Sequence, residues 1–253
     1  MFIIENMVNV EFLKDEVASV SFDSGERSNL LSLNVIRELT EVAKKLAHNK
    51  KLMAVILSGG HQNFSFGFDL KDKEFLKLKK LGFEENRDYF QLGKVMCDAW
   101  EKLNCLTICE IRGWCVGGGV ALATSCDLRI AETAAKFYVP EVERGLNMSW
   151  GSVPRLNALL GPAKTKRLLL LAEKINSPTA KDWGLIDSYV SASKLKLECI
   201  KFSEKAAEMP RLPFILTKES VNNHANAMAR ATSYNDQDIF GLAYASLKGK
   251  FFK

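Results

Sequence analysis

The 253-residue chain has no stretch of about 18 consecutive apolar residues, so it offers no membrane span. It has no CxxC pair. Its six cysteines, at 97, 105, 109, 115, 126 and 199, lie far in sequence from the three histidines, His48, His61 and His224. A metal cluster or disulfide framework is therefore not expected. Cys105, Cys109, Cys115 and Cys126 stand among Leu, Ile, Val and Ala, as small buried hydrophobes do. Charge is not blocked into long basic runs, and the net value of +5 is modest. That argues against a dedicated nucleic-acid binder and suits a surface receiving a small polyanion. The opening MFIIENMVNVEF carries acids early and no basic cluster, unlike a secretory leader; a cytoplasmic location is expected. Linkers, repeats and low-complexity segments are also missing. Neither GxGxxG nor GK[ST] occurs around the glycine triplet GGG, which excludes the dinucleotide fingerprint and the phosphate-binding loop.

What is present is an ordinary globular composition, 47% hydrophobic and 26% charged. EVASVSFD (16–23) alternates as a strand does, and SGERSN turns into an amphipathic helix, LLSLNVIRELTEVAKKLAHNKK, that ends in cations. LMAVILSG and LTICEIRG read as short buried strands. Residues 70–104 read as helical, Gly117–Gly119 open a helix that reaches Ser125, and DLRIA is again a strand. Beyond Gly145 the pattern is mostly helical, with one short strand at IDSYV. Strands alternating with helices and then giving way to helices predict an α/β fold with a helical C-terminal portion.

Two glycine-bearing bends each follow an apolar strand: Phe66-Gly67-Phe68 after LMAVILSG, and Gly117-Gly118-Gly119 after LTICEI. If those strands are parallel neighbours, the bends lie side by side. Backbone N–H groups at a helix start have no acceptor within the helix and face its positive end. Two such donors converging on one point form an oxyanion hole, suited to a carbonyl oxygen that gains charge in an enolate. The plainer alternative is that the glycines only permit tight turns and close packing.

Several motifs in register extend the pattern: FSFGFDLKD, IRGWCVGGGVALATSCDLRIAETAAKFYVPEVERGL and SVPRLNALLGPAKTKRLLLLAEKINSPTAKDWGLID, preceded by ERSNLLS. Together, from about Asp15 to Val190, they resemble the enoyl-CoA hydratase/isomerase (crotonase) superfamily. The resemblance implies a spiral of ββα units over residues 1–190 and a helical C-terminal region over 191–253, which mediates trimerisation in the family, often as a dimer of trimers. It also implies an acyl-CoA substrate, with coenzyme A as part of the substrate and no separate cofactor or metal. Residue by residue, the oxyanion donors would be the N–H groups of Phe68 and Gly118. Phe68, Asp69, Leu70 and Lys71 would line the coenzyme A path, and Arg27 and Lys71 are candidates for its phosphates.

The chain departs from the family pattern at three places. Hydratases of the family use two glutamates; here the first position is Ala121 and only the second, Glu141 of Pro140-Glu141, remains. One glutamate beside an oxyanion hole suffices to move a proton from the α- to the γ-carbon of a 3-enoyl thioester, so isomerisation is favoured over hydration or other chemistry on a CoA thioester. The position eight residues beyond Glu141, acidic in the family's dienoyl isomerases and in some of its other isomerases, is Ser149, which argues against dienoyl isomerisation. A non-catalytic acyl-CoA-binding homologue is the contrasting reading. In NMSWGS (147–152), Met148 and Trp150 add bulk where small residues are common. Packing beneath the following helix is the expectation for them, and narrowing of the acyl pocket the alternative. The C-terminus, SLKGKFFK, lacks the family's D-x-x-E-G segment, leaving Lys248, Lys250 and Lys253 as further phosphate candidates.

Overall fold

The computed structural model describes residues 7–60, 62–78, 82–229, 233 and 235–246. Nine strands form two sheets among these residues. The larger sheet contains β1 (Val8–Lys14), β2 (Val17–Phe22), β3 (Ala54–Ser58), β4 (Leu106–Ile111), β6 (Leu128–Glu132) and β9 (Ser188–Val190), in spatial order β1-β2-β3-β4-β6-β9. The β1–β2 pair is antiparallel and every other pairing is parallel. A small second sheet joins β5 (Trp114–Val116), β7 (Lys136–Tyr138) and β8 (Ile175–Asn176). The central strands β3 and β4 are almost wholly buried, which is why they read as continuous apolar runs rather than alternating ones. The strands β1, β5, β7 and β8 were not expected from sequence. Edge strand β1 leaves Phe12 53% exposed and alternates poorly, and the other three span only two or three residues.

Helix α1 (Leu33–Ala47) buries Leu33, Ile36, Leu39, Thr40, Ala43 and Leu46, a single helical face at spacings of three and four. Ser32 caps it: its hydroxyl accepts from the Val35 N–H at 3.2 Å, satisfying one donor the helix leaves open. Ser32→Ala should lower stability by about 1 kcal/mol, read as a lower urea midpoint with unchanged slope. Residues 70–104 contain α2 (Lys73–Leu78) and α3 (Phe83–Glu101). The glycine triplet opens α4 (Gly118–Thr124), as the sequence predicts. Helix α5 (Ser152–Leu170) is broken at Gly161 (φ 71°, ψ 167°) just before Pro162, so its two halves behave as separate helices.

The remaining helices are α6 (Ser177–Trp183), α7 (Leu195–Ala207), α8 (Arg211–Ala225) and α9 (Asp236–Ser246). α7 covers the far face of the large sheet, with Leu195 and Cys199 packed on Ile56, Ile108 and Ile130. α9 lies along α3, where Phe240 and Tyr244 meet Phe90 at 5.7 and 6.2 Å between ring centroids. The main core, between the sheets and helices α1 and α3 to α6, contains Phe22, Phe64, Trp100 and Phe137. All six cysteines are buried, and burial pushes the Cys97 and Cys105 thiols up to about 12, out of range for nucleophilic use. No helix among the described residues is long and apolar enough to cross a membrane. Lys248, Lys250 and Lys253 lie outside the described residues.

Candidate active site

β3 and β4 pair in parallel, and their continuations stay together past the sheet edge. Phe64 N–H donates to Arg112 O, Ser65 N–H to Trp114 O, and Val116 N–H to Ser65 O, so segment 64–68 is stitched alongside 112–118. This pairing brings the two glycine bends together, as parallel neighbouring strands require. A methyl group placed on Gly118 would lie 3.3 Å from Phe68 N, and one on Gly67 would lie 3.0 Å from Gly118 N. Gly67 has φ +87°, the left-handed conformation that favours glycine, and its N–H is held at 3.0 Å by the Ser65 hydroxyl. Leu31 accepts the N–H of Asp69 and donates to Gly67 O, which turns the Phe68 N–H away from it, toward Gly118. Neither the Phe68 nor the Gly118 N–H has an acceptor among the described residues. Two adjacent free donors can hold an oxygen that becomes anionic.

Glu141 follows β7 and enters the site over Gly117. A methyl group on Gly117 would come within 2.5 Å of Glu141 Oε1, so the carboxylate rests on the bare backbone of the bend. Although the residue is partly exposed, its carboxyl is buried: Oε2 has no hydrogen-bond partner and essentially no solvent contact. That burial disfavours the charge and pushes the carboxyl up to about 7, opposed first by a hydrogen bond from the residue's own backbone and then by the charge of Arg144. Such a group is poised to take and return a proton near neutral pH.

Between these groups lies a cavity of about 60 Å³. It is apolar, walled by Leu33, Ile36, Phe68, Phe75 and Phe240 together with Met148 and Trp150, and it touches Gly118 and Glu141. Ala121 and Ser149 also line it, and Glu141 is its only carboxylate among the described residues. The sequence expectation for Trp150, packing beneath the following helix, needs correction. Its indole instead enters the cavity, meeting the Phe68 ring edge-on at 6.2 Å and lying against Gly118. Arg27 and Lys71 are exposed, and neither they nor Asp69 and Leu70 line the cavity. Asp69 Oδ1 instead accepts the Lys71 N–H at 2.8 Å, and Leu70 packs on the Leu33, Phe75 and Leu78 cluster beneath the loop.

Among the contributors that were not anticipated are Gly93, Phe240 and Asp236. Gly93 sits inside α3, where glycine costs roughly 1 kcal/mol against alanine, a signal of close approach that was there to be read. Any side chain at Gly93 would run into the Trp150 indole. Phe240 and Asp236 come from α9, far along the chain, and only tertiary structure brings them in.

The chain is similar to known proteins over most of its length. The curated relatives include the short-chain-enoyl-CoA hydratase of Clostridium acetobutylicum, 27% identical over 91% of this chain and 87% of that protein. The crotonyl-CoA hydratase of Syntrophomonas wolfei is 28% identical over 94% and 90% of the two chains. Among solved structures, the enoyl-CoA hydratase of Bacillus anthracis superposes with a TM-score of 0.80 at 25% identity, covering 91% of this chain and 90% of that one. A probable enoyl-CoA hydratase from Mycobacterium thermoresistibile reaches 0.86 at 20% identity over 97% and 100%, a likeness of fold. Residues 13–250 match the enoyl-CoA hydratase/isomerase family, so a crotonase-type α/β core with a helical C-terminal region, expected from the motifs, is what this chain has, and the chain belongs to that family.

Proposed function

We propose that the protein isomerises a 3-enoyl-CoA to the 2-enoyl-CoA through an enolate, with Glu141 as the single base. The observation that supports this reading is one buried carboxylate beside two free N–H donors, with Ala121 in the same cavity wall where a second acid would be needed. The thioester oxygen accepts hydrogen bonds from Phe68 and Gly118. Glu141 removes a proton from the α-carbon, and the electron pair moves through the carbonyl into a dienolate whose negative oxygen the two donors hold. The carboxylic acid so formed returns the proton to the γ-carbon, shifting the double bond by one position with no net gain or loss of atoms. Arg27, Asp69, Leu70 and Lys71 belong to the same proposal, as the rim that meets the coenzyme A moiety. Homotrimeric or hexameric assembly belongs to it too, and would cover Leu212, Leu216 and Val221, which α8 leaves exposed.

Hydration is the second reading, and the names of the curated relatives favour it: those from Clostridium acetobutylicum and Syntrophomonas wolfei are both hydratases. Supplying 3-hexenoyl-CoA and crotonyl-CoA to the same preparation separates the two. The isomerase reading expects conversion of the first and little water addition to the second; efficient hydration of crotonyl-CoA overturns it. A protein that binds both and turns over neither is a binding homologue.

Because the base must be ionised to act and burial holds it near 7, kcat/KM should rise with pH through a midpoint near 7 and then level off. A profile flat from pH 5 to pH 8 would remove Glu141 from the proton-transfer step.

A further inference from the structure

Trp150 has φ +62°, a left-handed conformation that is a genuine outlier for a bulky residue. Two groups of contacts hold it there. On one side the indole fills the space left by two glycines. At Gly93 even a methyl group would overlap the ring, and at Gly118 a methyl carbon would fall 2.7 Å from it. On the other side the loop is clamped. Arg155 donates to Trp150 O at 3.0 Å and is itself bound to Asp98 (2.9 Å) and Glu101 (2.8 Å) on α3. The Gly151 N–H donates to Asp236 Oδ2 at 2.8 Å, and Asn147 Nδ2 donates to Asp236 O at 3.2 Å, which ties the loop to α9. Strained backbone persists only where its surroundings over-determine it, and it concentrates at ligand sites.

The clamp explains why a ring in an unfavourable conformation stays inside the cavity. With the indole in place, the space beside Glu141 and the two N–H donors is about 60 Å³, room for a few water-sized groups and too little for an extended chain. Aromatic rings line the rest of this space: Phe68, Phe75 and Phe90, with Phe240 supplied by α9.

We propose that Trp150 is the specificity-determining residue of this site, a fixed stop that limits the acyl group to a short chain of about four to six carbons. This rests on the acyl-CoA reading above but not on the reaction. Binding of saturated acyl-CoAs, which cannot isomerise, therefore tests it separately. Where a pocket accepts each added methylene, affinity grows by roughly fourfold per CH₂.

Titration calorimetry with butyryl-, hexanoyl-, octanoyl- and decanoyl-CoA should show affinity of the wild-type protein rising to hexanoyl-CoA and then stalling or falling. Trp150→Gly removes the ring and relieves the positive φ, and should extend the rise to decanoyl-CoA, binding it at least tenfold tighter than wild type does. Trp150→Asn, which also tolerates this φ, serves if the glycine variant does not fold. Three outcomes overturn the proposal: wild-type affinity that climbs steadily to decanoyl-CoA, a variant profile parallel to that of wild type, or no acyl-CoA bound by either. The last would also remove the acyl-CoA reading. A short-chain binding profile without 3-enoyl isomerisation would overturn only the reaction and leave Trp150 as the stop.

Discussion

Glu141→Gln should reduce isomerisation of a 3-enoyl-CoA, and exchange of its α-protons with heavy water, by about 10²- to 10⁴-fold, the usual contribution of a positioned acid–base group. Glutamine fits the same cradle over Gly117 but cannot take a proton, so binding of saturated acyl-CoA should persist. Full activity in the variant would end the single-base reading. The substitution also has a signature in stability whose sign is opposite to that of most point substitutions. The carboxyl titrates near its ordinary 4.5 when exposed and near 7 when buried in the folded chain. A group whose pKa is raised on folding favours the folded state below the lower value, and that contribution is lost as pH rises through the higher one. Above pH 7 the folded protein therefore carries a buried, unpartnered charge at Oε2, which costs up to about 3 kcal/mol. Glu141→Gln should accordingly melt at a higher temperature than wild type at pH 8 and at nearly the same temperature at pH 4. A variant that is catalytically dead yet more stable at pH 8 places the loss in chemistry rather than in folding.

The parts of this site legible in sequence were those encoded locally. Two apolar strands followed by glycine bends were enough to anticipate that Phe66–Phe68 and Gly117–Gly119 lie side by side if the strands are parallel neighbours, which they are, with the loops paired through Ser65 and Val116. Singling out Phe68 and Gly118 within those bends took the family resemblance. Glu141 was legible only through its motif; its burial depends on the bend at Gly117, more than twenty residues earlier. The short strands β5, β7 and β8 were not legible, since two or three residues cannot display a period of two. Trp150 was misread for a different reason. Bulk in a loop before a helix ordinarily packs under that helix, and what overrides the rule is the absence of a side chain at Gly93 and at Gly118, together with the anchoring of Gly151 to Asp236. No local pattern links those four positions.

Gly67→Ala should lower kcat by about 10²- to 10³-fold, the cost of losing an oxyanion donor, without removing any group that touches a proton. The added methyl would stand 2.7 Å from Val116 O and 3.0 Å from Gly118 N, both backbone atoms that no side-chain rotation can clear. Segments 67–68 and 116–118 must therefore move apart, and the two N–H groups with them. Placing alanine at φ +87° also costs roughly 1–2 kcal/mol of stability. Gly161→Ala separates the two effects. Gly161 has φ +71° and ψ 167°, an essentially glycine-only region, and no atom within 4 Å of an added methyl, so alanine there meets backbone strain without a collision at the site. If Gly161→Ala loses stability but keeps its kcat while Gly67→Ala loses both, the rate depends on the spacing of the Phe68 and Gly118 donors. Should Gly67→Ala keep its kcat, the paired N–H groups do not carry the developing charge, and the enolate must be held by some other group in the cavity.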